Sequence, residues 1–205
     1  MSLDLKPANI LLSGIMGDHI TAKVGDLGLG KQVLINKRTT FTDKLKVVPA
    51  GHLLNAQPYA MRAPEVFLGQ ARTEPSQVWA VAAMLLCWIK PGILGAGDSP
   101  HFLVNEAWCM AKIKRLFPNW NLQPPGEVEC HDLKVIVDSA RRMSREELDL
   151  QMIQPFDVET EKMRMPRELN DLLRLMLVVN PEDRPSISSV LSSNEFSMLE
   201  NLQDN

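Results

Sequence analysis

Runs of positive charge, paired cysteines and long apolar stretches are all missing from this sequence, and each absence excludes a class of function. The 205 residues hold 22 basic and 25 acidic side chains, a net charge of −3, with no cluster of lysines or arginines. A broad nucleic-acid-binding face is therefore not expected. Cys87, Cys109 and Cys130 are odd in number and widely spaced, which fits neither a disulfide framework nor a zinc ribbon. The adjacent Cys130-His131 has no second pair placed to complete a tetrahedral metal site, and His19, His52 and His101 stand isolated. The most apolar stretch, Val78 to Ile89, is twelve residues long and stops at Lys90-Pro91. That is too short to span a bilayer and suits a buried helix, so no membrane partner is expected. The first residues carry Asp4 and Lys6 in place of a basic region followed by an apolar one. No secretory signal is read, and an intracellular location, cytoplasmic or nuclear, is expected.

What is present suits one ordinary globular unit. With 45% apolar and 23% charged residues the chain can bury a single sizeable core. Ile10-Leu11-Leu12 and the stretch from Ile20 to Val24 are short apolar segments divided by Gly14, Gly17 and Asp18, the pattern of a β-hairpin. Such a hairpin carries Asn9 at its entry and Asp26 just past its exit, bringing two distant polar residues to one end. From Asp26 to Glu65 periodicity fades into Lys, Thr, Gly and Pro, as in a long functional loop.

Helical patterns follow. Val78, Val81, Ala82, Leu85, Leu86 and Ile89 recur at helical spacing in a segment apolar on nearly all faces, which predicts a helix buried on every side. Gly92 to Pro100 reads as a turn-rich connection, Glu106 to Phe117 as a helix and Gln123-Pro124-Pro125-Gly126 as a loop. Charges dominate between Asp138 and Gln151, where Ser144 and Glu147 are spaced for a capping box at the start of a short solvated helix. The expectation there is an insertion or linker within one domain. Leu169, Leu172, Leu173, Met176 and Leu177 form an amphipathic stripe stopped by Asn180-Pro181, with another short helix from Ser186. The fold class expected is mainly α with a small β-hairpin.

Four motifs stand in a set order: Asp4-Leu5-Lys6-Pro7-Ala8-Asn9, Asp26-Leu27-Gly28, Ala63-Pro64-Glu65, and Asn180-Pro181-Glu182-Asp183-Arg184-Pro185-Ser186. Each alone is weak, but the ordered set resembles the C-terminal lobe of eukaryotic-type protein serine/threonine kinases from about Ser2 to Phe196. The resemblance implies a partial kinase domain over residues 1–198. Its parts are a catalytic loop at 4–9, a metal motif at 26–28, an activation segment at 26–65, a helical subdomain at 76–198 and a tail at 199–205.

The resemblance also implies roles. Asp4 orients the acceptor hydroxyl and takes its proton, and Lys6 offsets charge on the transferring phosphoryl. Asn9 and Asp26 supply hard oxygen ligands to Mg²⁺ on ATP. Glu65 and Arg184 form a buried ion pair anchoring the activation segment. Tyr59 and Arg62 belong to the loop that faces the protein substrate, whose acceptor is expected to be serine or threonine from the Asp-Leu-Lys-Pro pattern. Gln77 stands where the family has an aspartate that accepts hydrogen bonds from the catalytic loop, so that loop is expected to be held less firmly.

Arg62 directly before Ala-Pro-Glu, Leu3 before Asp4 and Leu27 inside the metal motif resemble the branch that includes the SR-protein kinases. Leu3 cannot clamp an activation-loop phosphate, so activity is expected not to depend on phosphorylation at Thr39, Thr40 or Thr42. No glycine-rich phosphate loop, Val-Ala-Ile-Lys lysine or partner glutamate stands upstream of Asp4. An N-terminal kinase lobe is thus expected to be needed for completion, and the chain alone is expected to bind ATP poorly. Two function classes remain open: a kinase catalytic lobe, or a kinase-like binding scaffold or pseudokinase without turnover.

Overall fold

The computed structural model describes residues 7–13, 21–25, 57–123 and 131–201. It begins with a 3₁₀ turn, Pro7–Asn9, that feeds strand β1, Ile10–Ser13. Strand β2, Thr21–Val24, returns antiparallel, with Ile10 opposite Val24, Leu11 opposite Lys23, Leu12 opposite Ala22 and Ser13 opposite Thr21. The expected hairpin is therefore formed. Leu11 points outward, 59% exposed, while Ile10 packs against Met61, Ala80 and Met84. That contact fastens the hairpin to the 3₁₀ turn Tyr59–Met61 and to the central helix.

A short helix α1, Pro64–Phe67, precedes the central helix α2, Glu74–Ile89. Ser76 closes the first turn of α2: its hydroxyl accepts from Thr73 N–H at 3.0 Å and donates to Thr73 C=O at 2.7 Å. Pro75 is tolerated in this first turn because its missing N–H would have had no helical acceptor. Trp79, Ala80, Ala82, Ala83 and Leu86 are fully buried, and three alanines keep the helix thin enough for neighbours to close around it. Only near its C-terminal end does a large apolar side chain emerge, at Trp88.

Helix α3, Asn105–Leu116, lies against α1, and the longer α4, His131–Glu146, packs along α3. The charged stretch expected to be a solvated insertion or linker is thus an integral helix. Leu133, Val137, Ala140 and Ser144 repeat every three or four residues and face inward, while Asp132, Arg142 and Arg145 occupy other faces. Ser144 is no cap. It is buried inside α4, and its hydroxyl donates to Arg141 C=O at 2.8 Å. Glu147 instead sits at the N-cap of the short helix α5, Leu148–Gln151. Small and apolar residues set among many charges leave the segment polar as a whole while one face stays apolar, so composition alone hid the stripe.

Helix α6, Phe156–Lys162, leads to α7, Arg167–Met176, whose Leu172, Leu173 and Met176 are buried as the stripe predicts. Ser186 caps α8, Ile187–Leu191, and Ser193 caps α9, Asn194–Glu200; each hydroxyl accepts an N–H three residues on. Leu199 of α9 packs against the main core. The architecture is mainly α with a two-stranded antiparallel sheet. Among the described residues no helix is long and apolar enough to cross a membrane. Burial raises the thiols of the half-buried Cys87 and the buried Cys109, the latter to about 12, which disfavours the thiolate at both; Cys130 lies outside the described residues.

Candidate active site

The hairpin sets the first part of the site. Asn9 is buried at the junction of the 3₁₀ turn and β1, and Gly25 N–H donates to its carbonyl at 2.6 Å. This bond extends the ladder one step past Ile10 and Val24, so Asn9 stands opposite Gly25. Asp26 is the next residue in sequence. Asp4, Lys6, Asp26, Leu3 and Thr39, Thr40 and Thr42 lie outside the described residues. Among the described residues no group of three His, Cys, Asp or Glu converges in a way that could hold a metal. An asparagine carboxamide oxygen, such as that of Asn9, is a hard donor of the kind that suits Mg²⁺.

Gln77 sits in the first turns of α2, half-buried, and its Oε1 is buried without a hydrogen-bond partner among the described residues. An unpaired buried carbonyl costs roughly 1 to 3 kcal/mol. It would be relieved by any backbone donor brought against that end of the helix.

Glu65 and Arg184, 119 positions apart, meet in a bidentate pair, with Nη1 to Oε1 at 2.8 Å and Nη2 to Oε2 at 3.0 Å. Both side chains are essentially solvent-free, at 4% and 0% exposure. The remaining donors of Arg184 reach Val178, Val179 and Pro75 carbonyls, and the guanidinium lies 5.2 Å from the Trp79 ring centroid. The start of α1, the start of α2 and the segment after α7 are thereby held at one point.

The segment before α1 is built around Arg62, which is 2% exposed. Its guanidinium lies 4.7 Å from the Tyr59 ring centroid and 5.1 Å from that of Phe67, two rings parallel to within 6°. Nη1 donates to Glu106 Oε1 at 2.8 Å and Nη2 to Gln57 C=O at 3.1 Å. Burial, and then the Glu106 carboxylate, push the Tyr59 hydroxyl above its ordinary pKa. Arg62 therefore shapes this loop from behind. Its charge is spent on Glu106.

Two carboxylates of this region carry no sequence signal. Glu106 reads from sequence as nothing more than the start of a helix. Asp98 reads as part of a turn, yet it accepts from the buried Lys112 ammonium at 2.5 Å and from Trp108 Nε1 at 3.1 Å. Burial raises the Asp98 carboxyl, but Lys112 and Trp108 more than offset this and hold it below its usual value. A buried arginine or lysine requires an anion, and that rule is the one clue that could have prompted a search for these partners.

The model of the protein kinase domain family matches residues 1–196. The chain is 27% identical over 193 residues to the stress-activated protein kinase JNK of Drosophila melanogaster, covering 92% of this chain and 45% of that protein. It is also 27% identical over 200 residues to GLH-binding kinase 1 of Caenorhabditis elegans, covering 92% of this chain and 44% of that one. The chain thus spans a little under half the length of these relatives. The ordered motifs, the mainly α lobe with its hairpin and the match over nearly the whole chain lead to one conclusion: this chain belongs to the protein kinase domain family.

Proposed function

We propose that the chain is the catalytic lobe of a protein serine/threonine kinase, which transfers the γ-phosphoryl of ATP to a protein hydroxyl when an N-terminal lobe completes it. The observation that carries this reading is the hydrogen bond from Gly25 to Asn9, which draws the residue before Asp26 against the other expected metal ligand. Asn9 and Asp26 would hold Mg²⁺, which when bound supplies positive charge against the phosphate oxygens. Asp4 orients the acceptor hydroxyl and accepts its proton. Lys6 stabilises charge on the phosphoryl oxygens as the bond to the leaving group lengthens.

The Asp4-Leu5-Lys6-Pro7 pattern supports serine or threonine as acceptor, and Leu3, Leu27 and Arg62 support a place near the SR-protein kinases. Residues 57–62 form the substrate-facing loop, with Tyr59 on it and Arg62 bracing it. A second reading, a scaffold of little turnover, is supported by Gln77 Oε1, which has no partner among the described residues at the position where the family has an aspartate.

The test is phosphotransfer by the full-length protein with Mg-ATP and a serine- or threonine-containing peptide. Replacing Asp26 by Ala should lower turnover by more than about a hundredfold, beyond the 10- to 100-fold typical of outer-shell partners of a metal. Full turnover by that variant would remove Asp26 from the proposed role. Wild-type protein that binds a peptide yet transfers no phosphate would favour the scaffold.

A further inference from the structure

We propose that Glu106, in the first turn of α3, is a positioning residue for the substrate loop and acts through Arg62; this rests on reading residues 57–62 as that loop. The guanidinium of Arg62 is wedged beside the parallel rings of Tyr59 and Phe67 and donates to the Gln57 carbonyl. Those partners all lie within a few residues of Arg62 and move with it. The contact to Glu106, 44 positions away, ties the local unit to a separate helix.

Helix α3 is itself fixed to the neighbouring loop. Lys112, six residues after Glu106, donates to Gly92 C=O at 2.6 Å and to Asp98 at 2.5 Å, and Trp108 donates to the same Asp98 oxygen. Between those anchors Gly95, at φ +87°, approaches Ala60 so closely that a Cβ on it would lie 3.0 Å from the Ala60 Cβ. The substrate loop is thus referenced to α3 on two sides: through Glu106 and Arg62 on one, and through Lys112, Asp98 and the back of Ala60 on the other.

The two members of the ion pair differ in exposure, and that difference sets the consequence of losing it. Arg62 is 2% exposed and the Glu106 side chain 21%. Removing the negative charge leaves a buried cation without its anion, and of the two side chains it is that of residue 106 that reaches solvent. The guanidinium is expected to move toward it, drawing the Tyr59 ring and the Gln57 carbonyl out of place while the hairpin end and the Glu65 pair stay as they are.

The experiment compares wild type, Glu106→Gln and Glu106→Asp in the full-length protein, measuring kcat and KM for peptide and for Mg-ATP, the melting temperature, and amide hydrogen exchange over residues 57–67. Glu106→Gln should lower peptide kcat/KM by on the order of 10- to 100-fold, the scale of an ångström-sized misplacement. KM for Mg-ATP should hold, exchange over 57–67 should quicken while that of residues 78–86 does not, and Glu106→Asp should recover most of the loss. Unchanged peptide kinetics in an active enzyme would overturn the proposal, as would a fall in peptide and nucleotide parameters together with the melting temperature. If the wild type transfers no phosphate, the kinase reading fails by itself. Local exchange then decides the Glu106 role: faster exchange over 57–67 in Glu106→Gln upholds it, and unchanged exchange overturns it.

Discussion

Arg184 uses all five of its N–H donors, two on Glu65 and one each on Val178, Val179 and Pro75. A lysine offers three donors on a point charge and cannot reproduce that planar fork. Removing either partner strands the other charge in the core, so Glu65→Ala or Arg184→Ala should each destabilise the fold by about 3 to 5 kcal/mol. Arg184→Lys should lose most of the same. Replacing both with apolar residues, Glu65→Leu with Arg184→Met, should be less damaging than either single change, because no charge is then left behind. Urea denaturation of the four variants checks the order; a double variant as unstable as Glu65→Ala or Arg184→Ala would contradict it. This pair was legible in the sequence because both members belong to motifs of fixed order. The Arg62 and Glu106 pair was not, since no spacing rule joins a loop arginine to a glutamate on a distant helix.

At the scale of elements, two serines separate reading by spacing from reading by position. Ser144, spaced for a capping box, lies inside α4 with its hydroxyl turned back on the Arg141 carbonyl, whereas Ser193 receives Phe196 N–H at 3.1 Å at a true N-cap. Alanine has the higher helix propensity, and a hydroxyl bonded back to its own helix contributes little. Ser144→Ala should therefore change stability by less than about 0.5 kcal/mol, while Ser193→Ala should cost about 1 kcal/mol. Thermal melts of the two variants side by side check this, and a larger loss at Ser144 would show that its bond to the Arg141 carbonyl stabilises α4. The stripe of α7 was readable because leucines and methionines dominate it. That of α4 was masked because alanine and serine fill half its inward positions.

Across the whole molecule, Glu159 ties the end of α2 to α6. Its side chain is 3% exposed; Lys90 and Lys162 pair with it, and Gln154 N–H donates to it at 2.9 Å. Burial raises its carboxyl, but Lys90, the Gln154 N–H and Lys162 together hold it below the usual 4.5. A carboxyl lowered on folding contributes stability that is fully present above the unfolded value and is lost as pH falls through the folded one. The melting temperature should therefore hold from neutrality to about pH 5 and decline below, with Asp98 contributing in the same direction. In Lys90→Met the buried carboxyl loses its chief partner, its folded value rises toward the unfolded one, and the decline below about pH 5 should become shallower. Superimposable melting-temperature profiles for the two proteins would show that Lys90 does not set the titration of Glu159.

The sequence by itself determined what depends on local order: the four motifs, the hairpin that brings Asn9 to Gly25, the buried central helix and the terminating Asn180-Pro181. Each follows from periodicity, turn chemistry or motif spacing acting within a few residues. Tertiary structure alone decided that α4 is part of the core, that Arg62 lies beside two parallel rings with its charge given to Glu106, and that Lys112 is buried on Asp98. The physical reason is common to the three. A buried charge or a sparse apolar stripe is stabilised by groups far away in sequence, and their identity is set by how helices pack rather than by any pattern along the chain.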